Sequence, residues 1–159
     1  AGQVGNYLEY LEDAYLLLSL PKASYSFKKR IVAPRKYYPI DNGLARANNP
    51  QVAPDRGRRL ENQVFLALRQ AGKDIAYDAE KDAWECDFVF EDQAVQVCWQ
   101  LTEENREREI RGLREAVRRS HGKIKVATIL TFNQSDQIQV QGLLIEVLPT
   151  WQWLMKLES

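Results

Sequence analysis

Two cysteines, one histidine and no apolar run of membrane-spanning length set the first limits on this chain of 159 residues. Cys86 and Cys98 are too few for a disulfide scaffold or a tetrathiolate zinc site. His121 stands alone beside Gly122 at an expected helix end, so a Ser-His-Asp triad or a multi-histidine metal centre has no material. The longest greasy stretch, Leu16-Leu17-Leu18, ends at Leu20-Pro21, far short of the roughly 20 residues a membrane span needs. No signal-peptide pattern opens the sequence. Nor does it contain the G-x-x-x-x-G-K-[ST] loop that cradles nucleotide phosphates. Net charge is missing as well: Lys+Arg and Asp+Glu both number 22, which excludes a polybasic, histone-like binder and an acidic disordered tail. What remains is 45% hydrophobic and 10% aromatic, enough to bury a core. The expectation is a cytoplasmic, membrane-free globular protein of one compact domain with an appendage.

Zero net charge conceals an uneven distribution. From Ala14 to Ile40 there are six bases (Lys22, Lys28, Lys29, Arg30, Arg35, Lys36) and no acid, whereas from Glu61 to Thr102 nine acids face three bases. Tyr25, Phe27, Tyr37 and Tyr38 are interleaved with the bases, a composition suited to phosphate backbones and stacked bases. Neutralisation of the acidic half of the same molecule is the plainer role for these charges.

Apolar spacing at Val4, Tyr7, Leu8, Leu11, Tyr15 and Leu18 predicts an opening helix that Pro21 stops. Its stripe starts so near the first residue, without a clear cap, that the chain reads as a fragment of a longer protein. Lys22 to Asp41 reads as short strands or a ribbon broken by Pro34 and Pro39, and Asp41-Asn42-Gly43 as a turn. Ala47–Pro54 is a proline-punctuated loop and a plausible boundary. A helix follows with Leu60, Val64, Ala67, Leu68 and Ala71 on one face, ended by Gly72. Strands are predicted over Asp74–Asp78, Trp84–Phe90 and Ala94–Leu101. A charged helix then runs from Glu103 to about Arg119, with a narrow stripe at Ile110, Leu113 and Val117. Strands at Lys125–Phe132, Gln137–Gln141 and Leu143–Leu148 lead to a short terminal helix after Pro149 carrying Trp151 and Trp153. The fold class is α/β, a mixed central sheet flanked by helices on both faces.

Strand alternation places Trp84, Cys86, Phe88 and Phe90 on one face, with Glu85 and Asp87 on the other. It likewise makes Val95, Val97, Trp99 and Leu101 a core face opposed to Gln96 and Cys98. Asp87 then shares a side with Gln96 and Cys98, and a connection at Asp92-Gln93 sets it opposite Cys98. Cys86 falls on the other side, which argues against a Cys86–Cys98 disulfide. Glu61, at i,i+4,i+7 with Phe65 and Leu68, flanks its helix's buried stripe and points toward the sheet. A half-buried sheet always has one polar face, so this grouping alone does not make a site.

Four runs carry a resemblance: Asn6-Tyr7-Leu8-Glu9-Tyr10-Leu11-Glu12-Asp13-Ala14-Tyr15, Tyr38-Pro39-Ile40-Asp41-Asn42-Gly43-Leu44-Ala45, Arg56-Gly57-Arg58-Arg59-Leu60-Glu61-Asn62 and Glu85-Cys86-Asp87-Phe88-Val89. In combination they resemble the C-terminal domain of unknown function of archaeal and bacterial AAA-type ATPases. The resemblance covers nearly the whole chain. It implies the end of a winged helix-turn-helix over residues 1–45, as recognition helix and basic wing. It implies a restriction-endonuclease-like, PD-(D/E)XK domain over residues 55–159. ATP would then belong to a preceding ATPase domain, which would be this chain's natural partner.

Active nucleases of that superfamily hold a divalent metal with an Asp and a Glu on adjacent strands, place a Lys two residues after the Glu, and often add a helix acid. Carboxylates suit Mg²⁺, a hard cation that takes oxygen ligands. Carried onto this sequence, the Asp is Asp87, the helix acid is Glu61, the Glu position is Gln96 and the Lys position is Cys98. Gln96 supplies no charge and Cys98 is a soft thiol without an amine. Glu85 could assist the metal, but nothing in the sequence stands in for the lysine. The resulting expectation is a degenerate site and a nucleic-acid-binding or regulatory module, with Lys28, Lys29, Arg30, Arg35 and Lys36 on phosphates. A cleavage assay on the chain beside the double substitution Gln96→Glu, Cys98→Lys is the discriminating measurement. Activity only in the restored variant would support a lapsed site on an intact scaffold, and silence in both would leave the fold assignment unproven. Two other readings stand beside it: a working Mg²⁺-dependent DNA endonuclease, with Asp87 and Glu61 on the metal, and a self-assembly domain using the Trp-rich terminal helix.

Overall fold

Helix α1 (Gly2–Asp13) opens a computed structural model that describes residues 2–24, 33–48 and 55–157. It ends well before Pro21, where the apolar spacing had carried it, because Tyr15 takes a left-handed φ of 55°. Leu17–Leu20 instead forms β1, antiparallel to β2 (Lys36–Pro39), with Leu17 opposite Pro39 and Leu20 opposite Lys36. As a strand the segment sinks Leu20 completely into the core, and burial outweighs the helical pattern. Asp41-Asn42-Gly43 is likewise a helix start, not a turn. The Leu44 amide donates to Asp41 Oδ1 at 2.6 Å, and α2 (Asn42–Asn48) follows. An aspartate that accepts from a backbone N–H serves either structure.

The remaining elements follow the predicted order. They are α3 (Arg56–Gln70), β3 (Ala76–Glu80), β4 (Trp84–Phe90), β5 (Gln93–Val97), α4 (Glu103–Arg119), β6 (Val126–Thr131), β7 (Asp136–Val140), β8 (Leu143–Pro149) and α5 (Thr150–Leu157). Asp55 caps α3 by accepting from the Arg58 amide at 3.0 Å, and Gly72 closes the turn after it with φ 70°. The six-stranded sheet has the order β3-β4-β5-β6-β8-β7. β3, β4 and β5 form an antiparallel meander, β5–β6 and β6–β8 are parallel, and β7 pairs antiparallel on the edge. α4 is the crossover between β5 and β6, as a parallel pair requires.

Each sheet face has its own core. On one, Val64, Phe65 and Leu68 of α3 and Trp153 of α5 meet Phe88, Phe90, Val95, Val97 and Leu130. Leu20 and Tyr38 of the N-terminal strands belong to this same cluster, with the Tyr38 and Phe65 rings stacked at 4.2 Å. On the other, Ile110, Leu113 and Ala116 of α4 cover Cys86, Ala94, Cys98, Ile129 and Ile145. Trp151 is exposed.

Simple alternation fails in β4. Cys86 pairs with Asp78 but Val89 pairs with Ala76, so Asp87 and Phe88 together oppose Tyr77. This bulge adds one residue to β4 and reverses the facing of the residues after it. Trp84 and Cys86 therefore pack toward α4, whereas Phe88 and Phe90 pack toward α3. The predicted single face of Trp84, Cys86, Phe88 and Phe90 is thus split in two. Both cysteines end in the α4 core, contrary to the alternation argument, and both are free thiols. β5 also stops at Val97. Beyond it Trp99 is half-buried, and Leu101 packs on the α4 side.

α4 reaches the bulge by way of a glycine. A Cβ on Gly112 would lie 2.1 Å from the Glu85 carbonyl oxygen, inside any tolerable contact. Gly112→Ala must push α4 off β4, and overpacking of this kind costs about 1–3 kcal/mol or more. Chemical denaturation should show that loss. Gly5→Ala, whose Cβ would meet nothing within 4 Å, should show none of it.

Candidate functional site

The bulge aims the Asp87 carboxyl group toward α3 and away from the face where Gln96 and Cys98 lie. Asp87 Oδ1 is 3.3 Å from Lys36 Nζ, and Asp87 Oδ2 accepts the Val97 amide at 2.9 Å. Lys36 enters from β2 and also meets Glu61 of α3 at 3.3 Å and Glu85 of β4 at 2.7 Å. Tyr38 is on the same face of β2 and donates its hydroxyl to Glu61 Oε1 at 2.5 Å. The Lys36 ammonium also lies 5.5 Å from the centroid of the Tyr77 ring. Three acids on three positions of the fold thus converge on one amine.

Electrostatics follow from that geometry. Burial alone would lower the Lys36 pKa, but Asp87, Glu61 and Glu85 outweigh it and hold the ammonium above its ordinary value. Asp87 moves up to about 7, because it is buried and sees Glu61, while Lys36 and the Val97 amide hold it down. Tyr38 is raised by burial and by Glu61, so it remains a hydroxyl donor.

Gln96 does different work. With Phe90 opposite Gln93 and Phe88 opposite Val95, the connection is Glu91-Asp92 and Asp87 comes level with Gln96, not with Cys98 as expected. Gln96 Oε1 accepts the Asp87 amide at 3.1 Å, while Nε2 donates to the Glu85 carbonyl at 3.3 Å and to Glu109 Oε2 at 2.8 Å. The side-chain amide thereby pairs backbone groups of β4 beyond Phe88 and Val95, where the β4–β5 ladder stops. Glu109 of α4 is almost fully buried and holds Arg108 with its other oxygen. Cys98 is pushed up to about 12 by burial and by Glu109 and Asp87, so it is a neutral thiol, not a nucleophile.

The expected grouping therefore divides. Glu61, Glu85 and Asp87 come together, while Gln96 and Cys98 face α4 on the opposite side. The amine absent from the Cys98 position is present as Lys36, assigned above to phosphate contact but turned inward. Arg35 is exposed and donates to Ser19 Oγ at 3.0 Å, whereas Lys28, Lys29 and Arg30 lie outside the described residues. Lys36, Tyr38 and Glu109 were the residues overlooked in these roles. Lys36 stands two residues before a buried tyrosine on a strand, and Glu109 stands at i,i+4,i+7 with Leu113 and Ala116. Both spacings mark inward-facing positions.

These residues as placed do not fit a divalent metal. The ammonium occupies the point where the carboxylates converge, and among the described residues no group of three His, Cys, Asp or Glu is arranged to hold a metal ion. Gln96, the position that should supply the second anion, spends its carbonyl on the Asp87 amide.

Residues 1–53 match a domain of unknown function, DUF8612. The chain is 35% identical to an uncharacterized protein of Methanocaldococcus jannaschii, MJ1544, over 93% of its own length and 35% of that protein's. It is 28% identical to an uncharacterized protein of Haemophilus influenzae over 96% of its length and 37% of that relative's. The chain thus spans about a third of the length of the curated relatives it matches. No solved structure matches it. Among the described residues, no helix is long and apolar enough to cross a membrane.

Two consequences can be measured. In Lys36→Met the carboxylates lose their counter-ion, and breaking such a pair should cost about 3 kcal/mol at pH 8. Without the ammonium the Asp87 pKa rises above 7, so protonation relieves the repulsion and the loss should shrink by pH 5. Urea unfolding at both pH values reads this directly. Gln96→Glu would set a carboxylate against Glu109 Oε2 and forfeit both donated hydrogen bonds, at about 2–4 kcal/mol at pH 7. Gln96→Glu with Cys98→Lys should therefore unfold more readily than the parent and gain no cleavage.

Proposed function

We propose that this chain is a non-catalytic, nuclease-like module of a longer protein, serving as a nucleic-acid-binding or regulatory surface. The observation that carries this reading is the Lys36 ammonium, held by Glu61, Glu85 and Asp87 where a hydrolase would need a metal. An amine bound by three acids offsets part of their charge and offers water no Lewis acid. On this reading the site is an internal ion cluster.

The longer protein is supported by the length of the relatives, and its AAA-type ATPase partner domain by the sequence resemblance alone. On this reading residues 1–45 are the end of a winged helix, and residues 55–159 take the restriction-endonuclease-like arrangement. α1 and the antiparallel β1–β2 pair suit the first, and the mixed sheet with helices on both faces suits the second. Contact with nucleic acid would come from the basic arm of Lys28, Lys29, Arg30 and Arg35. A working endonuclease is the second reading, favoured by one feature: three acids against one ammonium leave excess negative charge that a cation could balance.

The test combines cleavage and binding. Purified chain with plasmid DNA and Mg²⁺ or Mn²⁺ should produce no nicking, while its affinity for DNA should fall steeply with salt. Replacing Lys28, Lys29 and Arg30 by Ala should flatten that salt slope by about 0.9 for each phosphate no longer neutralised. Cleavage that disappears in Asp87→Ala would establish the endonuclease instead. Absence of salt-sensitive binding, with a dimer broken by Trp151→Ala, would establish a self-assembly domain.

A further inference from the structure

Beyond the carboxyl ends of the parallel strands β5 and β6, two aromatic residues sit outside both cores. Trp99 and Phe132 stack at 4.2 Å with 18° between their planes, and Phe132 is 49% exposed. The Arg56 guanidinium of α3 lies 5.3 Å from the Trp99 ring centroid. The crevice at the carboxyl ends of parallel strands is where open α/β sheets take ligands.

The pair is rigidly mounted. The Phe132 amide donates to the Trp99 carbonyl at 3.1 Å, tying the two loops together. Gln134 accepts the Leu101 amide at 2.7 Å and donates to the Leu101 carbonyl at 3.1 Å. Thr131 fixes Gln134 in turn, its hydroxyl donating to the Gln134 carbonyl at 3.1 Å and accepting the Gln134 amide at 2.8 Å. Asn105 donates to the Gln100 carbonyl at 2.8 Å and accepts the Thr102 amide at 2.8 Å. The Gln134, Thr131 and Asn105 side chains thus brace loops whose outer aromatic ring stays half in water. Such bracing adds little to a core, whereas a pre-ordered flat surface binds without further ordering.

We propose that Trp99 and Phe132 form a stacking platform for an unpaired nucleobase, with Arg56 drawing in the strand's phosphates. The proposal rests on the nucleic-acid reading above and narrows it to single-stranded or frayed ends, because a paired base has no free face to offer. An aromatic face accepts any base, and arginine supplies the complementary charge. Phe132 stands outermost in the stack, so it is the residue whose loss the ligand feels first.

The test compares a fluorescein-labelled oligothymidylate with a duplex of equal length at fixed salt. The parent chain should bind the single strand more tightly, with quenching of its tryptophan emission. Phe132→Ala and Phe132→Leu should each weaken single-strand binding about tenfold and leave the duplex affinity unchanged. Phe132→Tyr, which keeps a π-face, should preserve the preference. Equal effects on both substrates, or no effect with DNA binding intact, would overturn the platform while leaving the nucleic-acid reading standing. A Phe132→Ala change in sedimentation without a change in DNA affinity would show a self-association patch and also overturn it. Absence of binding to either substrate would remove both readings.

Discussion

One ammonium group holds this molecule's two halves in register. Lys36 lies on a ribbon contributed by the first part of the chain, and its three partners lie on a helix and a strand of the second. Like charges forced together in a partly dry site repel strongly, so the acids need a cation, and the fold carries its own. The neighbouring Tyr38 serves both purposes at once. Its ring stacks on Phe65 in the core while its hydroxyl meets Glu61. Core packing and site electrostatics therefore both involve one short strand.

The bulge in β4 is the second constraint, and it explains residues that a nuclease template makes puzzling. The extra residue lies in the β3–β4 pairing, level with the point where the β4–β5 ladder stops at Phe88 and Val95. Side chains take over there: the Asp87 carboxyl group accepts from Val97, and the Gln96 amide joins Asp87 to Glu109. A carboxamide is the one side chain of that size that can accept from Asp87 while donating to Glu85 and Glu109. Gln96 is thus explained by local hydrogen bonding without reference to a lost reaction. Gly112 completes the arrangement by letting α4 approach the bulged backbone closely.

Much of the fold was legible because long periodic segments announce themselves. The α3 stripe, the charged α4 and the order of the six strands after Asp55 all follow from spacing. The errors share a physical origin in tertiary contacts overriding local pattern. Leu17–Leu20 reads as helix but pairs as strand because Leu20 gains a core. The alternation of β4 reads as unbroken because a bulge has no signature in composition alone, and from it came the expectation that the Asp87, Gln96 and Cys98 side chains share one face. Glu61, Glu85 and Asp87 were correctly grouped because two are strand neighbours at i,i+2 and the third flanks a buried helical stripe. Lys36 was seen as one charge in a basic arm, since nothing local distinguishes a lysine that turns inward until the buried Tyr38 beside it is considered.

The stack of Tyr38 on Phe65 bears on how the chain can be divided. The matched stretch ends at residue 53, between the two rings in sequence, although both rings belong to one hydrophobic cluster. A fragment beginning at Asp55 would expose Phe65 and Phe88 where Tyr38 and Leu20 had covered them. It would also meet solvent with an unbalanced acidic pit. To fold without this leader, the later part would therefore need another segment to bring an aromatic lid and a base.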